Sequence, residues 1–282
     1  MNDTPVVVQA ALAGAGLERV EGFPVPETTD AVVKDALAAW DAGAAAIHLR
    51  ARRPDRSPST RAEHFAPLVE GIRAGQCDAI LNFACGAAEA EDLDCLALGP
   101  ELASIDCWDE DPEGFAIDRS LPALRDVLAR FADCDTAPEL RCRHLWHLRT
   151  LLHLREEGLL ADPLRVQLVV EDGSATAIER VLRMGPLLPA DAVWSVAGLG
   201  LWQARLNVLC LIAGGHVRTG LEDNVWLVQD VPATNEQLVQ RIVRIVDELD
   251  RPLATPDEAR AILGLAPREA PPAAVDLHLT AG

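Results

Sequence analysis

The segment best equipped for chemistry is Gly214 to Asn224, GGHVRTGLEDN. A short β-rich run ends in Arg218, and a turn then returns Glu222 and Asp223 beside it. Such a group could supply a metal-binding carboxylate and an arginine-held base. The plainer account is a surface turn with an ion pair. A second segment is Ile47 to Ser59, IHLRARRPDRSPS. His48 and Arg50 stand two apart on a strand and face the same side. An inward His48 could ligate a metal together with Glu222. On its own, a strand histidine is more often a satisfied core residue. The same loop holds Arg50, Arg52, Arg53, Arg56 and Arg61. This positive island could capture an anion or simply be solvated. His144 and His147 share an i, i+3 spacing. His147 and His153 read as ordinary helix residues, and His144 as the one nearest a strand end.

These residues need a scaffold, and the hydrophobic pattern supplies one. Strands are expected at 6–11, 45–50, 79–83, 103–107, 139–142, 165–170, 193–197 and 216–219. Helices are expected between and after them, at 28–41, 61–75, 88–98, 120–132, 145–158, 174–184, 201–213 and 235–249. Eight βα units in about 250 residues is the arithmetic of an α/β TIM barrel. A doubly wound sheet is the runner-up. Its phosphate loop would need more than the G-x-G of Gly14 and Gly16. Residues 1–266 read as one barrel domain, and 267–282 as a Pro- and Ala-rich arm. In a barrel, function gathers at the C-terminal strand ends, where both charged segments fall.

Composition narrows the classes. Lys and Arg number 25 against 44 Asp and Glu, a net charge of −19. That excess counts against nucleic-acid or anionic-membrane partners. No apolar run reaches the roughly 18 residues of a membrane span, and the N-terminus lacks a signal-peptide pattern, so a cytoplasmic protein is expected. The seven cysteines form no C-x-x-C pair and read as small buried hydrophobes. Lys34 is the only lysine and sits in an amphipathic helical pattern, which argues against Schiff-base and pyridoxal-phosphate chemistry.

GGHVRTGLEDN, together with the AGAAAIHL strand and ATPDEARAILGL near the end, resembles the β-keto acid cleavage enzymes. The founding activity of that family is 3-keto-5-aminohexanoate cleavage. WSVAGLG (Trp194 to Gly200), TNEQLV (Thr234 to Val239) and PELAS (Pro100 to Ser104) also fit, and the resemblance runs from about Val6 to Leu265. It implies a zinc-dependent barrel, commonly a homotetramer. The implied reaction converts a β-keto acid and acetyl-CoA into acetoacetate and a new acyl-CoA. His48 and Glu222 match metal ligands, Arg218 and Asp223 the base dyad, and Glu139 a site glutamate of the fifth strand. Arg50, Arg52, Cys85, Gly86, Ser104 and Asp106 are the positions expected to meet substrate.

The pattern also breaks. The second histidine of the family's H-x-H pair is Arg50. The Ser-Thr-Gly-Gly run that grips a carboxylate reads Ala84-Cys85-Gly86-Ala87. Gln9, Ala13, Gly16 and Leu201 replace further family residues, which argues against the founding amino keto acid. A guanidinium at a zinc-ligand position repels a dication and does not deprotonate. Three outcomes follow: a replacement ligand such as His144 or Cys85, a weak metal with more water, or Arg50 in place of the cation. The competing functions are a carboxylate-binding barrel without turnover and a CoA-independent lyase or aldolase.

Overall fold

The computed structural model describes residues 4–13, 25–86, 89, 92–110, 116–171 and 175–268. Gly14, Gly16, Ala87 and the arm beyond residue 268 lie outside them. Eight parallel strands close into a barrel in sequential order. They are β1 (Val8–Ala11), β2 (Ala46–Leu49), β3 (Ile80–Gly86), β4 (Leu102–Asp106), β5 (Ala137–Cys142), β6 (Arg165–Val170), β7 (Val193–Gly198) and β8 (His216–Thr219). The fold is the expected TIM barrel. Its strands are buried on both faces, so they read as near-continuous apolar runs; all six residues of β6 are buried.

The helices wrap the outside: α1 (Thr29–Asp41), α2 (Ala62–Ala74), α3 (Leu121–Asp133), α4 (Leu145–Glu156), α5 (Ala175–Met184), α6 (Gln203–Ile212), α7 (Asn235–Glu248) and α8 (Pro256–Leu263). Caps set several starts. Thr28 and Ser120 accept from the backbone N–H of Ala31 and Ala123. Thr234 and Thr255 form full capping boxes with Gln237 and Glu258. One expected helix is described only in part. Residues 88, 90 and 91 of that expected helix, 88–98, lie outside the described residues, and Asp94–Leu98 form a 3-10 turn. The segment carries Asp92 and Asp94 and closes on Gly99 in the left-handed conformation, which stops propagation.

Besides α8, three hairpins were not expected. Short hairpins follow β2 (Ala51–Arg52 with Pro58–Ser59), β4 (Trp108–Glu110 with Ala116–Asp118) and β8 (Trp226–Val228 with Val231–Pro232). All three follow the C-terminal ends of their barrel strands and raise the rim there. At the other end α8 packs Ala259 and Leu263 against Val7, Ala46, Ile80 and Leu102. The main apolar core lies between barrel and helices and includes Phe65, stacked on Phe83 with ring centroids 4.2 Å apart. Among the described residues no helix is long and apolar enough to cross a membrane.

Candidate active site

Strand register explains why distant residues meet. β1 pairs with β8 so that Gln9 lies beside Arg218, and with β2 so that Ala11 lies beside His48. β4 pairs with β5 so that Ser104 neighbours Glu139 and Asp106 neighbours Arg141. Because side chains alternate, these registers aim one set of polar groups into the barrel and toward its mouth.

The turn after β8 is fixed from several sides. Glu222 N–H donates to Ala11 O at 3.0 Å, and Leu221 N–H donates to Asn235 Oδ1 at 2.8 Å. Gln203 Nε2 donates to Gly220 O, and Asn207 Nδ2 to Arg218 O, each at 3.0 Å. Gly220 has φ +139°, and a Cβ there would stand 2.1 Å from Ala11 O. Only glycine lets the chain pass β1 this closely and still turn Glu222 inward.

Arg218 is fully buried. Its Nε donates to Asp223 Oδ2 at 2.8 Å and its Nη2 to Asp223 Oδ1 at 3.1 Å, a two-pronged clamp. Nη2 is also 3.0 Å from Glu222 Oε1. Arg50 Nη2 reaches that same oxygen at 3.0 Å. His48 Nε2 stands 3.5 Å from Glu222 Oε2. Glu222 therefore faces two guanidiniums and an imidazole.

Burial alone would raise the Glu222 pKa, but Arg50, Arg218 and His48 together hold it well below the usual carboxylate range. Burial also works against the Arg218 charge, yet Asp223 and Glu222 outweigh it and push its pKa up. For His48 burial wins over the attraction of Glu222, so its pKa falls and the ring is neutral at pH 7.

The arrangement was tested for zinc. His48 Nε2 and Glu222 Oε2 stand about as far apart as two ligands on one tetrahedral ion, roughly 3.4 Å for bonds near 2.1 Å. The third position is Arg50, whose guanidinium is bound to the same carboxylate. The suggested replacements do not complete a set. His144 is exposed at the start of α4, outside the cavity. Cys85 lines the cavity but lies 4.0 Å from Cys95 Sγ; that contact and burial raise its pKa well above the usual thiol value. Among the described residues no cluster of three or more His, Cys, Asp and Glu side chains could hold a metal. The residues present do not fit a three-ligand zinc centre.

Above the charged group opens a cavity of about 1050 Å³. Arg50, Glu222 and Asp223 form part of its wall, with Cys85, Gly86 and Asp106 along another side. The wall also holds Trp108, Arg141, Arg143 and Glu171, which carry no motif in the sequence. Arg141 Nη1 donates to Asp106 Oδ1 at 2.7 Å and Nε to Gln167 Oε1 at 3.1 Å. The Arg143 guanidinium lies 4.0 Å from the centre of the Trp108 ring and pairs with Glu171 at 2.5 Å. Strand alternation from Glu139 would have flagged Arg141, which lies two residues on along β5.

The remaining expected residues sit elsewhere. Glu139 is buried deeper in the barrel, accepting from Gln9 Nε2 at 3.2 Å and Asn82 Nδ2 at 2.8 Å. Its charge adds to the field on Arg218. Ser104 is buried beside it, away from the cavity wall. Arg52 lies on the hairpin after β2 and donates to Arg56 O at 2.8 Å, while Arg53 and Arg61 take the cavity wall. The chain bends into the hairpin just beyond Leu49, so the alternation that joins His48 to Arg50 does not carry on to Arg52.

A family model for beta-keto acid cleavage enzymes matches residues 5–265. The chain belongs to the β-keto acid cleavage enzyme family. The 3-keto-5-aminohexanoate cleavage enzyme of Acetoanaerobium sticklandii is 33% identical over 272 residues, 92% of this chain and 98% of that one. The 3-oxoadipate:acetyl-CoA acetyltransferase of Cupriavidus necator is 30% identical over 271 residues, 93% of this chain and 95% of that one. Among solved structures, ObcA in ternary complex with a C4-CoA adduct and oxalate superposes with a TM-score of 0.71. It is 18% identical, covering 86% of this chain and 67% of that one, a likeness of fold. As a family member the protein is an enzyme, and its charged group lies at the barrel end where the fold places catalysis.

Proposed function

We propose that this enzyme cleaves a β-keto acid by acyl exchange with acetyl-CoA, giving acetoacetate and a new acyl-CoA. The Arg218–Asp223 clamp at the barrel mouth carries the reading. Asp223 takes a proton from the carbon between the keto and carboxylate groups. That carbon attacks the acetyl thioester, forming a C–C bond and expelling CoA thiolate. The thiolate then adds to the original keto carbon, and the bond from that carbon to the central carbon breaks. The carbanion so released takes the proton back from Asp223 and leaves as acetoacetate with the acetyl group, and the remaining acyl group leaves on sulfur. Arg218 fixes the orientation of the base through its two-pronged clamp on the carboxylate.

We further propose that Arg50 replaces the cation of the family's zinc. Its guanidinium lines the cavity and is anchored by Glu222, so it can polarise the keto oxygen as negative charge develops. Neutral His48 can supply a further polar group. No step then passes through a metal. A tetrameric state belongs to this proposal by family resemblance, and a cytoplasmic location by the sequence pattern.

The test is a panel of straight-chain, branched and dicarboxylic β-keto acids with ¹³C-labelled acetyl-CoA. Labelled acetoacetate is expected from at least one acid. Silence across the panel would sink the reading, and cleavage without acetyl-CoA would favour the lyase. Elemental analysis of the purified protein tests the role of Arg50: one equivalent of tightly held zinc would overturn it. Arg50→His should create a third ligand and raise zinc affinity, read by equilibrium dialysis.

A further inference from the structure

A second cavity, of about 490 Å³, lies beside the first, between the start of α4 and the outer face of α5. Its wall includes Arg143, Trp146, Arg149, Arg180, Arg183 and Glu179. Four arginines around one groove are out of character for a chain of net charge −19. An anion repelled elsewhere on this surface would be drawn here. Trp146 is 56% exposed, an unusual position for a large aromatic ring, and it offers a flat face beside the arginines. Arg183 is held by Glu179 at 2.6 Å, so a carboxylate of the groove orients its guanidinium. Arg143 lines this groove and the catalytic cavity alike. The two spaces therefore share a wall.

A phosphate-rich ligand with an aromatic base suits the groove: guanidiniums grip phosphate oxygens in pairs, and a base stacks on an indole. The volume falls within the ordinary range for a small-molecule site. A long flexible arm running from that nucleotide past Arg143 would deliver its far end to Arg50 and Asp223.

We propose that this groove binds the 3′-phosphorylated ADP end of the CoA thioester. The adenine rests on Trp146, and Arg149, Arg180 and Arg183 meet the phosphates. The thioester arm passes Arg143 into the catalytic cavity. The assignment rests on the CoA-dependent reading above and adds the place where the nucleotide is held.

The experiment is isothermal titration of the full-length protein with CoA and with 3′,5′-ADP. Two variants accompany the wild type, the Arg149→Ala/Arg183→Ala pair and Trp146→Ala. Both change exposed side chains, and melting curves check that they fold. At least a tenfold loss of affinity for both ligands is expected in each variant. S-acetylpantetheine lacks the nucleotide, so its KM should separate variant from wild type by less than twofold. Undiminished CoA affinity in the variants would overturn the assignment, as would a wild type that binds no CoA. A change of particle mass in light scattering would also overturn it, by showing the groove to be an interface between copies. CoA binding lost in the variants, in an enzyme that turns over no β-keto acid, would leave the groove assigned and remove only the cleavage reaction.

Discussion

The two ends of the barrel both bury arginine–carboxylate clusters, and they treat them differently. At the α8 end, Arg260 is almost fully buried and each nitrogen of its guanidinium has a partner. Nε meets Glu101 at 2.5 Å, Nη1 meets Asp257 at 3.2 Å, and Nη2 meets Glu101 at 3.1 Å and Asp78 O at 2.7 Å. At the mouth, Arg218 Nη1, Arg50 Nε, both nitrogens of His48 and Glu222 Oε2 have no hydrogen-bond partner among the described residues. Buried polar atoms left open are costly, and a fold keeps them together where something else is to bind. One cluster is complete within the chain, and the other has valences to spare.

Substitutions at each end separate the two roles. The largest effect is expected from Asp223→Asn. If the mouth is built for proton transfer, kcat should fall by about 10³, within the range for a lost general base. Exchange of the substrate's α-protons with D₂O, followed by NMR, should be lost with it. Undiminished exchange would remove Asp223 from its role.

Next comes Arg260→Met. Removing the buried partner of the partly exposed carboxylates Glu101 and Asp257 should cost about 1–3 kcal/mol in urea unfolding. Activity per folded molecule should stay within twofold. A large loss of turnover in folded protein would show that the two ends are not separate in purpose.

The smallest effect at neutral pH belongs to His216→Asn. His216 is buried near Arg251, and its Nδ1 accepts from Val7 N–H at 3.1 Å. Burial first, then Arg251, brings its pKa down to about 4. The unfolded chain binds this proton near pH 6.5 and the folded chain only near 4, so stability falls as pH drops through that window. The loss from this residue is on the order of 3 kcal/mol by pH 4. Asparagine keeps an acceptor without titrating, so the acid limb of a stability–pH curve should flatten. His48, also buried and neutral, should leave a residual slope of the same sign. An unchanged limb would mean that His216 is not the group being protonated.

Much of the fold was legible. All eight strands fall near their expected places, because a run buried on both faces must be apolar along its length. The site was legible where local pattern and strand alternation coincide: His48 with Arg50, and Arg218 with Glu222 and Asp223. Arg52 was expected to meet substrate, but the hairpin that starts at Ala51 turns it to Arg56 O. Trp108 and Arg143 escaped notice because neither carries a motif; they matter through a rim hairpin and a strand end that meet only in three dimensions. Ser104 and Glu139 lie one layer below the cavity, and depth along a barrel strand cannot be judged until neighbouring registers are known.

Sequence alone determined the βα alternation, the acidic surface, and the presence of Arg50 where a ligand histidine belongs. These are properties of residue type and spacing along the chain. Only the tertiary structure decided what Arg50 does with its charge. Register and the Gly220 turn bring Glu222 to 3.0 Å from both Arg50 and Arg218, across 172 residues of chain in the first case. A carboxylate held between two guanidiniums is a different site from one held by a metal. That difference arises from the closing of the barrel, because closure sets the distances at which charges act.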